Sequence, residues 1–342
     1  MTGSIKVAVV GATGYTGVEL LRLLQGHPDM SVEYLSAGAS AGSNIEDLYP
    51  SLAGAYTGMV VEDFDRERLR GIDLVFLAMP HGSSMGMVGD LIDKVGAVVD
   101  LSADFRLKNP ADYEQWYGHA HTHPELLERA ALGIPELFRS EIESSKLIAA
   151  AGCYVTAASI ALAPLARSGL IETQGVIVDA ASGVSGAGHG LSATTHFSSA
   201  NEGFSAYALS THRHTPEIEQ ATGCKVLFTP HLAPMTRGIL ATCYARPAEP
   251  GATASDISSA LSQFFEKEQF VMVVDSPPST KHASGSNSAF LFATVDERTG
   301  WVIVLCALDN LVKGAAGQAI QCANLVLGIP EGSGLTSVGM YP

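Results

Sequence analysis

No stretch of the chain approaches the roughly 20 consecutive apolar residues that span a bilayer. Met1 to Lys6 run into a short strand pattern without the apolar core of a secretory signal, so a cytoplasmic protein with no membrane partner is expected. Cysteine is sparse: Cys153, Cys224, Cys243, Cys306 and Cys322 are odd in number, widely spaced and form no C-x-x-C. That pattern argues against a disulfide framework and a thiolate zinc site. Charged residues are only 16%, and they lean acidic, 20 Lys and Arg against 35 Asp and Glu, for a formal net charge of −15. Such a surface repels nucleic acid and anionic lipid, so neither is expected as a partner, and any cations an anionic ligand needs must be gathered at its site.

What is present is apolar and rich in turns. Of 342 residues, 46% are hydrophobic and 35 are Gly, a composition for packed domains with many tight turns. At roughly 150 residues per domain, two are expected. Lys6 to Val10 is an apolar run that meets Gly11-Ala-Thr-Gly-Tyr-Thr-Gly17, and Val18 to Leu24 then carries leucines at helical spacing. Further apolar runs at Val32 to Leu35, Asp73 to Met79 and Ala97 to Leu101 read as strands. Strands apolar throughout and alternating with helices predict a parallel sheet covered on both faces, a doubly wound Rossmann domain. After residue 150 the strands crowd together with one clear surface helix near Ala254 to Glu268, which predicts an α+β domain on a mixed or antiparallel sheet. The helix pattern of Lys313 to Leu327 is apolar enough to need cover on two sides and is expected to return to the first domain. The expected division is 1–152 with 309–342 for the nucleotide domain, and 153–308 for the second.

Gly11, Gly14 and Gly17 form G-x-x-G-x-x-G between a strand and a helix, the setting in which backbone N–H groups approach a pyrophosphate. Thr13, Tyr15, Thr16 and, beyond the third strand, Pro80 join them as cofactor-binding candidates. The second strand ends in Leu35-Ser36-Ala-Gly-Ala-Ser40 without the carboxylate that would bind an NAD ribose. Ser36 and Ser40 are therefore expected to meet a 2′-phosphate, and NADP(H) is the expected cofactor. Cys153 lies between the strand Leu147 to Ala150 and a helix from Thr156; at a helix N-terminus a thiolate is stabilised and becomes a nucleophile. His212-Arg-His-Thr-Pro-Glu217 supplies two imidazoles for proton transfer and, in Glu217, a carboxylate that can orient one. His212 and His214 share a face if the segment is extended and diverge by about 200° in a helical turn; Pro216 disfavours helix at Thr215, so both rings are expected to reach the site. His119, His121 and His123 alternate without an accompanying carboxylate pair and read as a loop, with no metal expected. Ser182-Gly183-Val-Ser-Gly186-Ala-Gly188 either holds an anion through its amides or is a flexible turn.

These pieces, GATGYTG at 11–17, DLSADFRLK at 100–108, AGCY at 151–154, SGVSGAG at 182–188, HRHTPEI at 212–218, FTPHLAPMTRGI at 228–239 and DNLVKGAAGQAIQ at 309–321, lie in one order along nearly the whole chain. In that order they resemble the N-acetyl-gamma-glutamyl-phosphate reductase family of arginine biosynthesis and, more distantly, aspartate-semialdehyde dehydrogenase. The resemblance implies that Cys153 attacks an acyl phosphate, that phosphate leaves a thioester, and that NADPH reduces it to a semialdehyde. It further implies His212 as the proton carrier with His214, Arg213 and Glu217 around it. Arg106, Arg213, Arg237 and Lys281 become candidates for the substrate's carboxylate and phosphate, Ser182, Gly183, Gly186 and Asn310 for the cofactor, and a homo-oligomer is expected. One departure is Val155, where the family commonly has Pro. The same chemistry on another acyl phosphate, or a cofactor-binding sensor without turnover, are the alternatives that follow from the same segments.

Overall fold

The computed structural model describes residues 4–342; the start of the chain, Met1–Gly3, lies outside the described residues. The chain forms two compact units, Met1–Ala151 with Ala315–Leu335, and Gly152–Gly314 with Thr336–Pro342. In the first, β1 (Ile5–Val10), β2 (Met30–Ser36), β3 (Leu74–Leu77), β4 (Ala97–Asp100), β5 (Ala130–Gly133) and β6 (Leu147–Ala150) make a six-stranded sheet in the order β2-β1-β3-β4-β6-β5. Every pair is parallel. β3, β4 and β6 are buried at every residue, the reason their sequences are apolar runs rather than alternations. The helix Tyr15–Leu24 buries Leu20, Leu21, Leu23 and Leu24, each side chain contributing about 2 kcal/mol by leaving water. β5, Ala-Ala-Leu-Gly, has no β-branched residue and escapes propensity; its pairing with β6 makes it a strand. The sheet order reverses at β1, between β2 and β3, so the crevice at their carboxyl ends is where such a sheet takes a ligand.

The second unit holds β7 (Val176–Gly183), β8 (Ser205–Ala206), β9 (Val226–Ala233), β10 (Ile239–Ala245), β11 (Val271–Val273), β12 (Ala289–Asp296) and β13 (Trp301–Leu308). Their order is β11-β12-β13-β10-β7-β9-β8, mixed because β11/β12 and β7/β9 run parallel. Alternate residues of β7, β10, β12 and β13 are buried, with the helix Cys153–Arg167 packed on β10 and β13 and the helix Ala254–Phe264 on β12.

Two boundaries differ from expectation. The final helix begins as a π turn, Val312–Ala316, and continues as Gly317–Val326, packed on the helix Pro135–Ser144 and on β4 and β6; residues 309–314 stay with the second unit. The last segment, Thr336–Pro342, also belongs there. Its carbonyls at Thr336 and Ser337 accept from the Asn287 N–H and the Ser288 hydroxyl (both 2.8 Å), and the Met340 N–H donates to Ser284 O (2.7 Å). Among the described residues no helix is long and apolar enough to cross a membrane.

Candidate active site

In the first unit the Gly11 and Ala12 N–H groups donate to Ser36 O, which turns the chain sharply after β1. The helix then starts at Tyr15 with Gly14 as its cap and no acid in its first turn. The N–H groups of Tyr15, Thr16 and Gly17 are thus outside the helical ladder, where the helix dipole favours an anion. The three glycines differ in their reasons. A Cβ on Gly11 would collide with the Ala78 carbonyl, and one on Gly17 with the Gly11 carbonyl. Gly14, by contrast, has nothing nearer than 3.7 Å and φ of −76°, so no neighbour in the fold requires it to lack a side chain. Thr13, Gly14 and Thr16 are half-buried and Tyr15 exposed, so this turn can cradle the pyrophosphate of a dinucleotide.

The end of β2 is less open than expected. Ser36 is 1% exposed, and its hydroxyl has no hydrogen-bond partner; Ser40 is half-buried in the 3₁₀ turn Gly38–Ser40. The sequence hid a charge pair here. A bridge between Ser36 and Glu62 brings in a carboxylate from 26 positions away, and Arg68 neutralises it through Nε (3.1 Å) and Nη2 (2.6 Å). Only strand proximity, and no local motif, could have revealed it.

In the second unit Cys153 is the first residue of the helix Cys153–Arg167, with Gly152 as cap, three positions earlier than expected. Val155 falls in the first helical turn, where an N–H has no helical acceptor; Pro and Val serve equally there. Cys153 is half-buried, whereas the other four cysteines are buried. Burial pushes the Cys306 thiol up to about 12 and raises Cys224 and Cys243 as well, which holds those three in the unreactive thiol form. Two glycines are forced by the site. A Cβ on Gly152 would strike the imidazole of His214, and one on Gly314 would lie 2.7 Å from the Cys153 Cβ.

The histidine segment corrects the expectation against helix at Thr215. The helix His214–Thr222 starts at His214 itself with Arg213 as cap; Pro216 sits in its first turn, where its missing N–H costs nothing. The His212 and His214 rings are edge to face, with centroids 4.7 Å apart, and the His214 N–H donates to His212 Nδ1 (3.1 Å). His212 is enclosed by Tyr154, Tyr207 and Phe228; burial, then the Arg213 charge, lowers its pKa to about 4. His214 is the ring packed against Gly152, the residue before Cys153. Glu217 is fully buried. The Tyr154 hydroxyl donates to His231 O (2.8 Å) and receives the Tyr207 hydroxyl (3.4 Å), contacts that no sequence motif announced.

The glycine-rich loop 182–188 does not offer a nest of amides. The N–H groups of Gly183, Val184 and Ser185 donate to the carbonyls of Gly238, Met235 and Thr236, which binds the loop to the β9–β10 connection. Ser182 is buried, and a Cβ on Gly183 would lie 2.6 Å from Thr236 O and one on Gly186 2.8 Å from Ser182 Oγ. Asn310, expected at the cofactor, accepts from the Gly238 N–H (2.7 Å) and donates to Ser185 Oγ (2.9 Å), so both ends of its amide brace this loop. Arg106 is likewise not an open cation: it is 5% exposed, with Nε on Ala150 O (2.8 Å) and Nη2 on Leu101 O (3.1 Å), capping carbonyls at strand ends. The other three do reach the surface. Arg213 and Lys281 are exposed, and Arg237 is half-buried, 3.6 Å from the buried carboxylate of Asp309. Gly238, at φ of 112°, lets Thr280 pack 2.7 Å from where its Cβ would be. His121 lies buried with Nε2 on Asp104 O (2.7 Å), while His123 faces Glu125 (3.2 Å) and His119 packs by Tyr117; the three do not converge.

Residues 6–145 match the family model described as semialdehyde dehydrogenase, NAD binding domain, and residues 153–310 that described as semialdehyde dehydrogenase, dimerisation domain. Among solved structures, aspartate semialdehyde dehydrogenase II from Vibrio cholerae has the same fold, with a TM-score of 0.72 and 18% identity over 95% of this chain and 99% of that one. The Candida albicans aspartate semialdehyde dehydrogenase solved with NADP gives 0.68, at 18% identity over 95% and 99%. The class is thus the two-domain semialdehyde dehydrogenases. N-acetyl-gamma-glutamyl-phosphate reductases from Pelotomaculum thermopropionicum and Geobacter sulfurreducens are each 46% identical over 99% of this chain and the whole of theirs. The chain belongs to the N-acetyl-gamma-glutamyl-phosphate reductase family.

Proposed function

We propose that this chain reduces N-acetyl-L-glutamyl 5-phosphate to N-acetyl-L-glutamate 5-semialdehyde with release of phosphate, in the cytoplasm. The observation that carries the reading is Cys153, a half-buried cysteine at a helix start with the His214 imidazole against the residue before it. The Cys153 thiolate attacks the acyl carbon, the bond from that carbon to the phosphate oxygen breaks, and a thioester remains on Sγ, which divides one hard reduction into two easier steps. When bound, NADPH would supply hydride to the thioester carbon, and a proton given to the oxygen by His214 would complete the thiohemiacetal. Collapse then expels the Cys153 thiolate, with His214 moving the hydroxyl proton.

His214 replaces His212 in this role for a physical reason. A general base works best with a pKa near the operating pH, and His212, lowered to about 4 with its Nδ1 occupied, is a weak base that fixes the start of the His214 helix. Arg213, Arg237 and Lys281 are the cations for the substrate's carboxylate and phosphate. A second copy of this chain is the expected partner, against the half-buried sheet face of Leu240, Tyr244, Phe290, Phe292, Ile303 and Leu305. The test is phosphate-dependent NADP reduction with N-acetyl-glutamate semialdehyde and aspartate semialdehyde side by side. Turnover of the first alone supports the reading; turnover of the second alone, or labelling of a cysteine other than Cys153 by acyl phosphate, overturns it.

A further inference from the structure

The loop after β3 lines the crevice beside the glycine turn. The Ala78 N–H donates to Val10 O (2.7 Å), Gly11 packs on the Ala78 carbonyl, and Pro80–Ser83 are exposed. This exposed loop is held by one buried carboxylate. Asp104, 1% exposed, accepts at Oδ1 from the Gly82 N–H (2.6 Å) and at Oδ2 from the Ser84 N–H (2.9 Å), the Met85 N–H (3.2 Å) and the Ser84 hydroxyl (2.9 Å). Its main chain is pinned too, the carbonyl by His121 Nε2 (2.7 Å) and the N–H by Ser102 Oγ (3.1 Å).

Behind it, at the end of β4, stands a second carboxyl. Asp100 is fully buried, with Oδ1 taking the Ser102 N–H (3.1 Å) and Oδ2 lying 2.7 Å from Ser102 Oγ. Ser102 Oγ and Ser84 Oγ are also 2.7 Å apart. Four oxygens therefore stand in a row, Asp100 Oδ2, Ser102 Oγ, Ser84 Oγ and Asp104 Oδ2, with three hydrogen-bond contacts between them. Each contact needs a proton, and the two hydroxyls supply two. The third belongs to a carboxyl. Asp104 cannot hold it, because its two oxygens face four donors. Asp100 can, and burial pushes its pKa up to about 7. The other ionisable groups packed here are Arg106, engaged by main-chain carbonyls, and His121, whose pKa burial lowers.

We infer that Asp104 is a positioning residue for the cofactor crevice, holding the loop Ala78–Ser84 in place, and that a proton on Asp100, passed through Ser102 and Ser84, keeps Asp104 charged and aligned. The inference rests on the reading that this crevice binds NADPH. It predicts that two like substitutions differ. In Asp104→Asn the new amide NH₂ must face donors, so NADPH affinity, read by fluorescence titration, should fall roughly 10- to 100-fold, the worth of a hydrogen bond to a charged acceptor. In Asp100→Asn the NH₂ replaces the carboxyl proton on Ser102 Oγ, and affinity should stay near that of the parent.

Acylation of Cys153 by acyl phosphate without cofactor, followed by mass spectrometry, should be unchanged in both. Parent-like NADPH binding by Asp104→Asn, or an equal loss in Asp100→Asn, overturns the inference; so does a parallel loss of Cys153 acylation, which marks a general structural defect. If the parent itself does not bind NADPH, the reading of the crevice fails instead. Should Asp104→Asn not fold, Ser84→Ala, which removes one hydroxyl and no main-chain contact, should weaken NADPH several-fold, and parent-like binding by it overturns the inference equally.

Discussion

Two glycine-rich loops follow strands in this molecule, at 11–17 and 182–188, and they differ in where their amides point. In the first, the N–H groups of Tyr15, Thr16 and Gly17 open a helix and have no helical acceptor. In the second, the N–H groups of Gly183, Val184 and Ser185 all end on carbonyls of the β9–β10 connection. The first is a candidate binding surface, and the second is a brace that fixes Asn310 and the connection carrying Arg237. Glycine density marks a close backbone approach in both cases; the destination of the N–H groups decides whether a ligand or the protein itself makes that approach.

The sharpest way to separate the two units' roles is Cys153→Ala, which should abolish reduction while NADPH still binds, as measured by turnover and by cofactor titration. Loss of cofactor binding would mean that the thiol site and the glycine turn cannot be treated separately. Next in size, His214→Asn should lower turnover about 10²- to 10⁴-fold, the usual contribution of a positioned proton carrier, and His212→Asn should do less. The reverse order, with His212→Asn losing turnover and His214→Asn nearly normal, would return the proton to His212.

The loops themselves are contrasted by two alanines. Gly14→Ala, whose new methyl would meet only the Gly11 carbonyl oxygen at an ordinary 3.7 Å, should leave the melting temperature near that of the parent and weaken NADPH roughly tenfold or more, since a Cβ then stands between the amides and the pyrophosphate. Gly183→Ala, whose Cβ would lie 2.6 Å from Thr236 O, should instead lower the melting temperature and leave cofactor affinity of the folded fraction near normal. Equal behaviour of the two variants would erase the distinction.

Two buried groups give opposite pH signatures. His212, lowered to about 4 from 6.5, resists a proton that the unfolded chain accepts. Its share of stability is complete above pH 6.5 and lost as pH falls toward 4. Asp100, raised to about 7 from 3.8, retains a proton that the unfolded chain releases, so its burial carries no penalty below pH 3.8 and an increasing one up to about 7. Denaturation midpoints across pH 4 to 8 should therefore rise at neutral pH in Asp100→Asn relative to the parent, and the acid loss should shrink in His212→Phe. The smallest effect is expected at the ribose end. Ser40→Asp should raise the KM for NADPH several-fold through like-charge repulsion and leave NADH unaffected; loss with both cofactors would place Ser40 elsewhere in the site.

Much of this was legible from residue order. The strand, glycine turn and helix at the start, the change of pattern near residue 150 and the thiol at a helix start all follow from local spacing and chain chemistry. β5 was not legible, because Ala-Ala-Leu-Gly, with no β-branched residue, becomes a strand only beside β6. Nor was the distinction between His212 and His214: two positions apart in sequence, they differ in the rings around the first and the glycine under the second.

By itself, then, the sequence determined most of the strands, the Gly11–Gly17 turn, the cysteine at a helix start and the histidine pair, since each depends on residues within a few positions or within one strand or helix. Only the tertiary structure decided that Arg106 and Asn310 brace carbonyls and loops, that Arg68 neutralises Glu62 beside Ser36, and that Asp104 holds the loop after β3. Those are pairings across tens of residues. Which donor meets which acceptor there is fixed by packing, because a buried polar group must find a partner wherever the fold places one.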